Sequence, residues 1–376
     1  MRRSSRLRGR EDAAGVPAKR HKADDNEEGS ADQPATSEQR SAWVAFLESR
    51  LFLKAPGDLF AVFELAAELR PESPCEAFVD TLGIRLTGPF DLLAAADKAQ
   101  VAVDKPLHLH GRFFLDPPEV AAVLVDTDSG VGRHWGYFRD APDQVPEYVV
   151  CAESSRECKF DIVGASLFQV LESRLEKRRT TLGADSAADL LQKIETHRDE
   201  KSRARGQSGS ALRSKRSKDS VAPSLHQLGI VVSLDTKNNT GYRELPATGR
   251  DLADLLQQLA QGASKKAPAR KRLSELITRA TIASDECDFG TGLLLGLDVF
   301  TAGSCLEKEA LQLLRVAYML LRRANFYKIA SGQCKYRNND NLNASIESVV
   351  ASDQKAAGKQ SKQSTVELPP PLFSRK

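Results

Sequence analysis

No apolar run in this 376-residue chain approaches the roughly 20 residues that a bilayer-spanning helix needs, so no membrane span is expected. The Arg-rich start lacks the apolar stretch of a secretory signal, and the expected address is inside the cell. Cysteine is sparse. Cys75, Cys151, Cys158, Cys287, Cys305 and Cys334 fall at no paired spacing, which argues against a disulfide scaffold or a zinc finger and fits reduced, mostly buried thiols. Signatures of nucleotide binding and of an activated nucleophile are missing too. There is no Walker loop, no G-x-S-x-G elbow, no Rossmann fingerprint and no internal repeat. Gly290-Thr291-Gly292 runs into apolar residues without a lysine, so it makes a poor phosphate cradle. A self-sufficient hydrolase or transferase therefore has no cofactor motif to stand on. No cofactor and no metal of its own is expected.

What the chain does have is a core and unevenly placed charge. Its length suits about two domains, and a hydrophobic content of 41% supports a buried interior. The net charge is +3, but its placement says more than its sum. Arg2, Arg3, Arg6, Arg8 and Arg10 precede Lys19-Arg20-His21-Lys22, a cluster of the kind that nuclear import receptors read. A second basic stretch from Lys201 to Lys218 carries Arg203, Arg205, Arg213, Lys215 and Arg216 with no acidic residue. Each stretch could touch nucleic-acid phosphates without reading sequence, or be simply a solvated charge run.

Periodicity divides the chain. Residues 1–40 hold almost nothing to bury and are expected to be disordered. Trp43, Phe46, Leu47 and Leu51 fall at helical spacing, and a second helix runs from Leu59 to Ala66 until Pro71 closes it. Alternation marks strands at 82–90, 107–114, 120–125, 134–140 and 148–151. On the strand at 107–114, His108 and His110 share a face, but no carboxylate or thiol accompanies them at a metal spacing, and they read as structural. Helical spacing returns at Ile162–Arg174 and Leu190–Ile194. A basic loop at 201–220, a strand over Leu228–Leu234 and helices through Leu252–Leu259, Leu273–Ile277 and Leu311–Leu321 follow. The stripe Leu311, Leu314, Ala317, Leu320 and Leu321 reads as core. The fold class expected is α+β. An antiparallel sheet with helices occupies 41–151, a largely helical domain with a few strands occupies 152–345, and a flexible tail runs from 346 to 376.

Two polar clusters carry the candidate chemistry. Asp285-Glu286-Cys287-Asp288 sets three carboxylates in four positions, and crowded carboxylates disfavour each other's ionised form, which suits proton exchange near neutrality. Read plainly, Ser284 or Asp285 caps a helix whose first turn holds Glu286 and Asp288. A metal reading of Asp285, Cys287 and Asp288 lacks a nearby His or second Cys. The loop Gly241-Tyr242-Arg243-Glu244-Leu245-Pro246 offers a guanidinium fork able to orient a carboxylate through two parallel hydrogen bonds. Loops that follow a strand are common places for binding residues.

Three blocks in this order resemble the histone PARylation factor family: Trp135-Gly136-Tyr137-Phe138-Arg139-Asp140-Ala141-Pro142-Asp143, Gly241-Tyr242-Arg243-Glu244-Leu245-Pro246 and Asp285-Glu286-Cys287-Asp288-Phe289-Gly290. Phe113-Phe114-Leu115-Asp116-Pro117-Pro118-Glu119 also fits, and the likeness covers about residues 41–345. The resemblance implies a nuclear accessory factor, acting as a monomer and recruited to chromatin at sites of DNA damage. It docks on the catalytic domain of a DNA-damage-activated poly(ADP-ribose) polymerase and completes that enzyme's active site, while the polymerase binds NAD. By the same resemblance Glu286 deprotonates the acceptor serine and so directs ADP-ribosylation to serines, chiefly on histones. Arg243 supports docking and orients the glutamate, Tyr242 packs at the contact, and Asp285 engages the polymerase. The added surface is also implied to obstruct growth of long polymer chains. The basic stretch at 201–220 and the tail from 346 depart from the family pattern. The alternative is a chromatin-binding scaffold that works through its basic segments and performs no chemistry.

Overall fold

The computed structural model describes residues 36–103, 105–198, 202–203, 206–261, 266–337 and 364–373. The basic cluster at 2–22 lies outside them. Thr36 starts the first helix, α1 (Ser37–Leu51), with a reciprocal cap in which its hydroxyl accepts from Gln39 N–H while the Gln39 side chain accepts from Thr36 N–H. Trp43, Phe46, Leu47 and Leu51 go to the core as their spacing requires. After Pro56, α2 (Gly57–Leu69) is buried almost all round. Two short helices follow, α3 (Val79–Leu82) and α4 (Pro89–Ala94). Gly83 ends α3 in the left-handed region, at φ 64°.

Strand β1 (Ile84–Leu86) joins β3 (Val120–Asp126), β4 (His134–Phe138), β5 (Tyr148–Ala152) and β6 (Phe160–Gly164) in one antiparallel sheet of order β1-β3-β4-β5-β6. Its two faces feed two interiors, as the two-residue period of a strand demands. Trp135, Tyr137, Val149 and Cys151 join the core that holds α1 and α2. Phe138, Tyr148, Val150 and Ala152 join a second core with Phe160, Ile162, Leu212 and Leu228. Two further helices, α5 (Leu167–Leu182) and α6 (Ala184–His197), also bury their apolar faces in the first core. That core therefore continues past the boundary expected at 151.

The C-terminal region is largely helical: α7 (Gly209–Asp219), α8 (Gly249–Gln261), α9 (Lys266–Asp285), α10 (Phe289–Phe300), α11 (Glu307–Leu320) and α12 (Ala324–Tyr336). Helices α9 and α11 pack on the apolar α10, of which every residue from Gly290 to Phe300 is buried, and α12 packs on α11. A buried hydrogen bond from the Tyr318 hydroxyl to Glu119 Oε1, 2.7 Å long, ties this region to the sheet.

Several expectations need correcting. The segment 107–114 is a 3-10 turn at Leu107–Leu109 followed by irregular chain. His110 Nε2 lies 3.0 Å from Asp91 Oδ2, while the His108 ring stacks on Phe52. The first residues of the expected helix at 162–174 belong to β6. Residues 228–234 form no ladder, only an isolated bridge from Ile230 to Ala222. On α11 the buried face is Ala310, Leu313, Leu314, Ala317 and Tyr318, and Leu320 is exposed. Leu314 and Ala317 of the expected stripe lie in the core and Leu311 and Leu321 pack against it, so the stripe reading departs from the structure only at Leu320.

The expected basic loop at 201–220 holds the helix α7, and three of its described cations pair with carboxylates of the chain. Arg216 pairs with Asp140, Lys215 with Glu147 and Arg213 with Asp161. The end of the expected flexible tail is ordered too. Residues 364–367 (β7) pair with β2 (Gln100–Val103), and Leu368 and Leu372 reach the first core. Of the thiols expected to be mostly buried, Cys75, Cys151 and Cys158 are buried, Cys334 is partly buried, and Cys287 and Cys305 are exposed.

Candidate functional site

Asp285 is the last residue of α9, Glu286 and Cys287 make a tight turn, and Asp288 immediately precedes α10. The turn is a double-bonded helix ending: Asp288 N–H donates to Ala283 O at 2.8 Å and Cys287 N–H to Ser284 O at 3.2 Å. Cys287 takes the left-handed position usual for glycine there, at φ 69°. The cap reading fails in detail. Ser284 sits inside the end of α9 with its hydroxyl on Ala280 O, and the Asp288 side chain makes no cap bond to α10. Asp285 and Glu286 instead stand at the negative end of α9, where the helix field favours cations and no basic residue lies in the last turn.

The missing cation comes from the loop at 241–243. Arg243 Nη1 lies 2.5 Å from Glu286 Oε2, and Nη2 lies 2.9 Å from Asp288 Oδ2. The fork is thus divided between two carboxylates instead of gripping one. The hydrogen bond to Glu286, with the charges of Glu286 and Asp288, holds the Arg243 guanidinium above its ordinary range. Arg243 and Glu286 are each about half exposed, whereas Asp288 is fully buried.

Backbone stitches fix this loop on the start of α10. Asp288 Oδ1 accepts from Gly241 N–H at 2.9 Å, and Gly290 N–H donates to Gly241 O at 2.8 Å. The Thr291 hydroxyl accepts from Arg243 N–H at 2.8 Å and donates to Arg243 O at 2.7 Å. Gly241 sits at φ 120°, a backbone setting open to glycine alone among common residues. Tyr242 is half-buried against the helical core, and burial pushes its phenol up. The exposed apolar side chain Ile282 stands on α9 one turn before Glu286, and exposed Leu234 lies beside Gly241.

The structure therefore brings Arg243, Glu286 and Asp288 together and places Tyr242 and Asp285 on the flanks. Asp285 is exposed and has no ion pair among the described residues. Sequence reasoning missed Asp288, Gly290 and Thr291 as the residues that hold the loop. The signal was present in the motif Asp-Phe-Gly-Thr, but only the fold shows that it faces Gly241. Among the described residues no group of three or more His, Cys, Asp or Glu side chains is arranged to hold a metal ion.

Beneath Tyr242 and Arg243 lies a small cavity of about 10 Å³, lined also by Leu252, Thr291 and Asp298. It has room for about one water molecule. Asp298 is buried on α10 and accepts from Leu225 N–H at 2.8 Å. Burial pushes its carboxyl up to about 7 from 3.8, against the lowering effect of that hydrogen bond. A carboxyl with a raised folded-state pKa binds its proton better in the native state. Its stabilising contribution is complete below the unfolded value and is lost as pH climbs through the folded one. Stability should fall between pH 4 and 7, and Asp298→Asn, which keeps an acceptor for Leu225, should flatten that slope in denaturant titrations across pH.

Residues 43–337 match the family model described as Histone PARylation factor 1. The chain is 35% identical over 306 residues to Histone PARylation factor 1 of Mus musculus, an alignment covering 79% of this chain and 87% of that protein. It is 34% identical over 303 residues to the Bos taurus protein of the same name, with 79% and 87% covered. For the Danio rerio protein the identity is 32% over 299 residues, with 77% and 84% covered. All three sequence blocks that carry the resemblance fall inside the matched span, so the chain belongs to the histone PARylation factor 1 family.

Proposed function

We propose that this chain docks on the catalytic domain of a DNA-damage-activated poly(ADP-ribose) polymerase and lends it Glu286 as a general base. The acceptor serine, chiefly on histones, loses its hydroxyl proton to Glu286 as its oxygen attacks the anomeric carbon of the nicotinamide ribose. The bond from that carbon to nicotinamide breaks, and nicotinamide leaves with the electron pair. NAD is bound by the polymerase and not by this chain, and its ADP-ribosyl group ends on the serine. Acidic acceptors are already ionised at neutral pH and need no such help, so an added base changes which side chain is modified.

The observation that carries this reading is the placement of Glu286. It is half-exposed on a rigid turn, fixed through Oε2 by a guanidinium that buried Asp288 holds independently. Its other oxygen, Oε1, has no hydrogen-bond partner among the described residues. A base for a composite site needs that combination: a carboxylate at the surface, oriented before the partner arrives, with one oxygen open. Exposed Ile282, one helical turn before Glu286, and exposed Leu234, beside Gly241, supply apolar surface for a partner to cover. The proposed address is the nucleus, at damaged chromatin, with the basic segment at 2–22 as the import signal.

Docking is tested by a pull-down with the polymerase catalytic domain. Arg243→Ala removes the cation that orders the acidic turn, leaving Glu286 and Asp288 to repel each other at the negative end of α9. Capture should be largely lost for this variant at a temperature where its circular dichroism is still native, with the melting temperature lowered because buried Asp288 loses the cation that Arg243 supplies. Undiminished capture would remove Arg243 from the docking surface. The scaffold alternative is less well supported, since Arg213, Lys215 and Arg216 are each paired with a carboxylate of the chain itself.

A further inference from the structure

Residues 364–373 are held on one surface by two different kinds of contact. Strand β7 adds antiparallel to β2, pairing Val366 with Val101 and Glu367 with Gln100, and Leu368 N–H extends the ladder by donating to Ala99 O at 2.8 Å. Beyond Leu368 comes Pro369-Pro370-Pro371, which has no N–H to give. There the donors come from α1. The indole N–H of Trp43 donates to Pro370 O at 2.9 Å and the Gln39 amide to Pro371 O at 2.8 Å. Leu368 and Leu372 are buried, and the Phe373 ring stacks on Phe63 with centroids 6.3 Å apart.

These contacts combine two general modes of peptide recognition. One is addition of an extended strand to a sheet edge, with alternate side chains in pockets. The other is capture of a proline run by an aromatic-lined groove. The surface is built for such a ligand. Trp43 is wholly buried, yet its one polar atom finds its acceptor on this segment. Strand β2 pairs with β7 alone among the described residues, so its ladder is complete only when the segment is in place. Trp43, Phe63 and β2 lie within the span 43–337 matched by the family model, and the segment lies beyond it.

We propose that the β2 edge, Gln39, Trp43 and Phe63 form a peptide-docking groove, and that its resident occupant in this chain is residues 364–373. The ligand class follows from the contacts: an extended segment with apolar side chains at the Val366 and Leu368 positions, then prolines whose carbonyls meet Trp43 and Gln39, then Leu-Phe. A tethered occupant competes at an effective concentration of order millimolar, so it keeps the groove closed to free peptides of the same chemistry.

The test uses the full chain and a fluorescent peptide of sequence STVELPPPLF. The double substitution Leu368→Asp and Leu372→Asp should release the segment and bind the peptide at least tenfold more tightly than wild type does. A Trp43→Phe change added to that background should weaken the peptide roughly five- to tenfold, the effect of one lost hydrogen bond. Equal binding to wild type and double variant, or no binding to a double variant whose circular dichroism is native, overturns the proposal. A second route avoids the substitutions. With a protease site placed between 345 and 355, cutting the folded protein should give a segment that dissociates on dilution and rebinds on concentration, with the remainder still folded. Unfolding of the remainder on release would make the segment a structural strap and overturn the groove. Dimers that exchange segments, seen in gel filtration of the wild type, would overturn the assignment of the occupant to the same chain.

Discussion

Glu286→Gln is expected to leave capture by the polymerase catalytic domain intact and to lower serine ADP-ribosylation of a histone peptide by about 10²- to 10⁴-fold, the usual worth of general-base assistance. The substitution keeps the side chain's size and removes its basicity. Arg243 stays in place because buried Asp288 still holds Nη2 and the loop backbone remains stitched to Asp288, Gly290 and Thr291. Transfer to acidic side chains on the polymerase or the peptide should continue, since a carboxylate acceptor needs no deprotonation. Acceptor mapping by mass spectrometry separates the outcomes. Serine labelling retained at wild-type level by the variant would remove Glu286 from the chemistry.

The second large effect is expected from a residue that touches no partner. A Cβ added at Gly290 would stand 2.8 Å from Gly241 O, 2.8 Å from Val232 Cγ2 and 3.4 Å from Tyr242 Cβ. The carbonyl is backbone and its bond from Gly290 N–H shares the same space, so the loop at 241–243 must move away from α10. Overpacking of this kind costs about 1–3 kcal/mol. Gly290→Ala should therefore lower the unfolding free energy by that amount in denaturant titrations. It should also reduce polymerase capture and serine transfer together, because Tyr242 and Arg243 travel with the loop. A variant that keeps full capture would show that the loop's position is not part of the docking surface.

The N-terminal half was largely legible because its signals are local. The apolar spacing of α1 and α2, Pro56 and Pro71, and the alternation of β3, β4 and β5 each report on a few neighbouring residues. The errors arose where distant groups decide. Leu107–Phe114 alternates like a strand, yet Arg112 is drawn inward to bond the carbonyls of His108 and Val120, and the segment turns. The buried face of α11 takes in Tyr318 beside the expected Leu314 and Ala317, because its hydroxyl meets Glu119, almost two hundred positions away in sequence. The helix α7 looked like a loop because its basic side chains find their carboxylates on β6 and beside β4 and β5. At the candidate site, the motifs named Tyr242, Arg243, Asp285 and Glu286. They could not show that Arg243 divides its fork between Glu286 and Asp288, since that contact depends on the loop crossing the start of α10.

The most direct measurement is a structure of this chain bound to the polymerase catalytic domain with a non-hydrolysable NAD analogue and a serine peptide. The serine hydroxyl should lie within about 2.6–3.2 Å of a Glu286 carboxylate oxygen, or one water away, on the side of the ribose opposite the nicotinamide. A complex in which Glu286 faces away from the ribose, with the serine proton in reach of another group, would contradict the account.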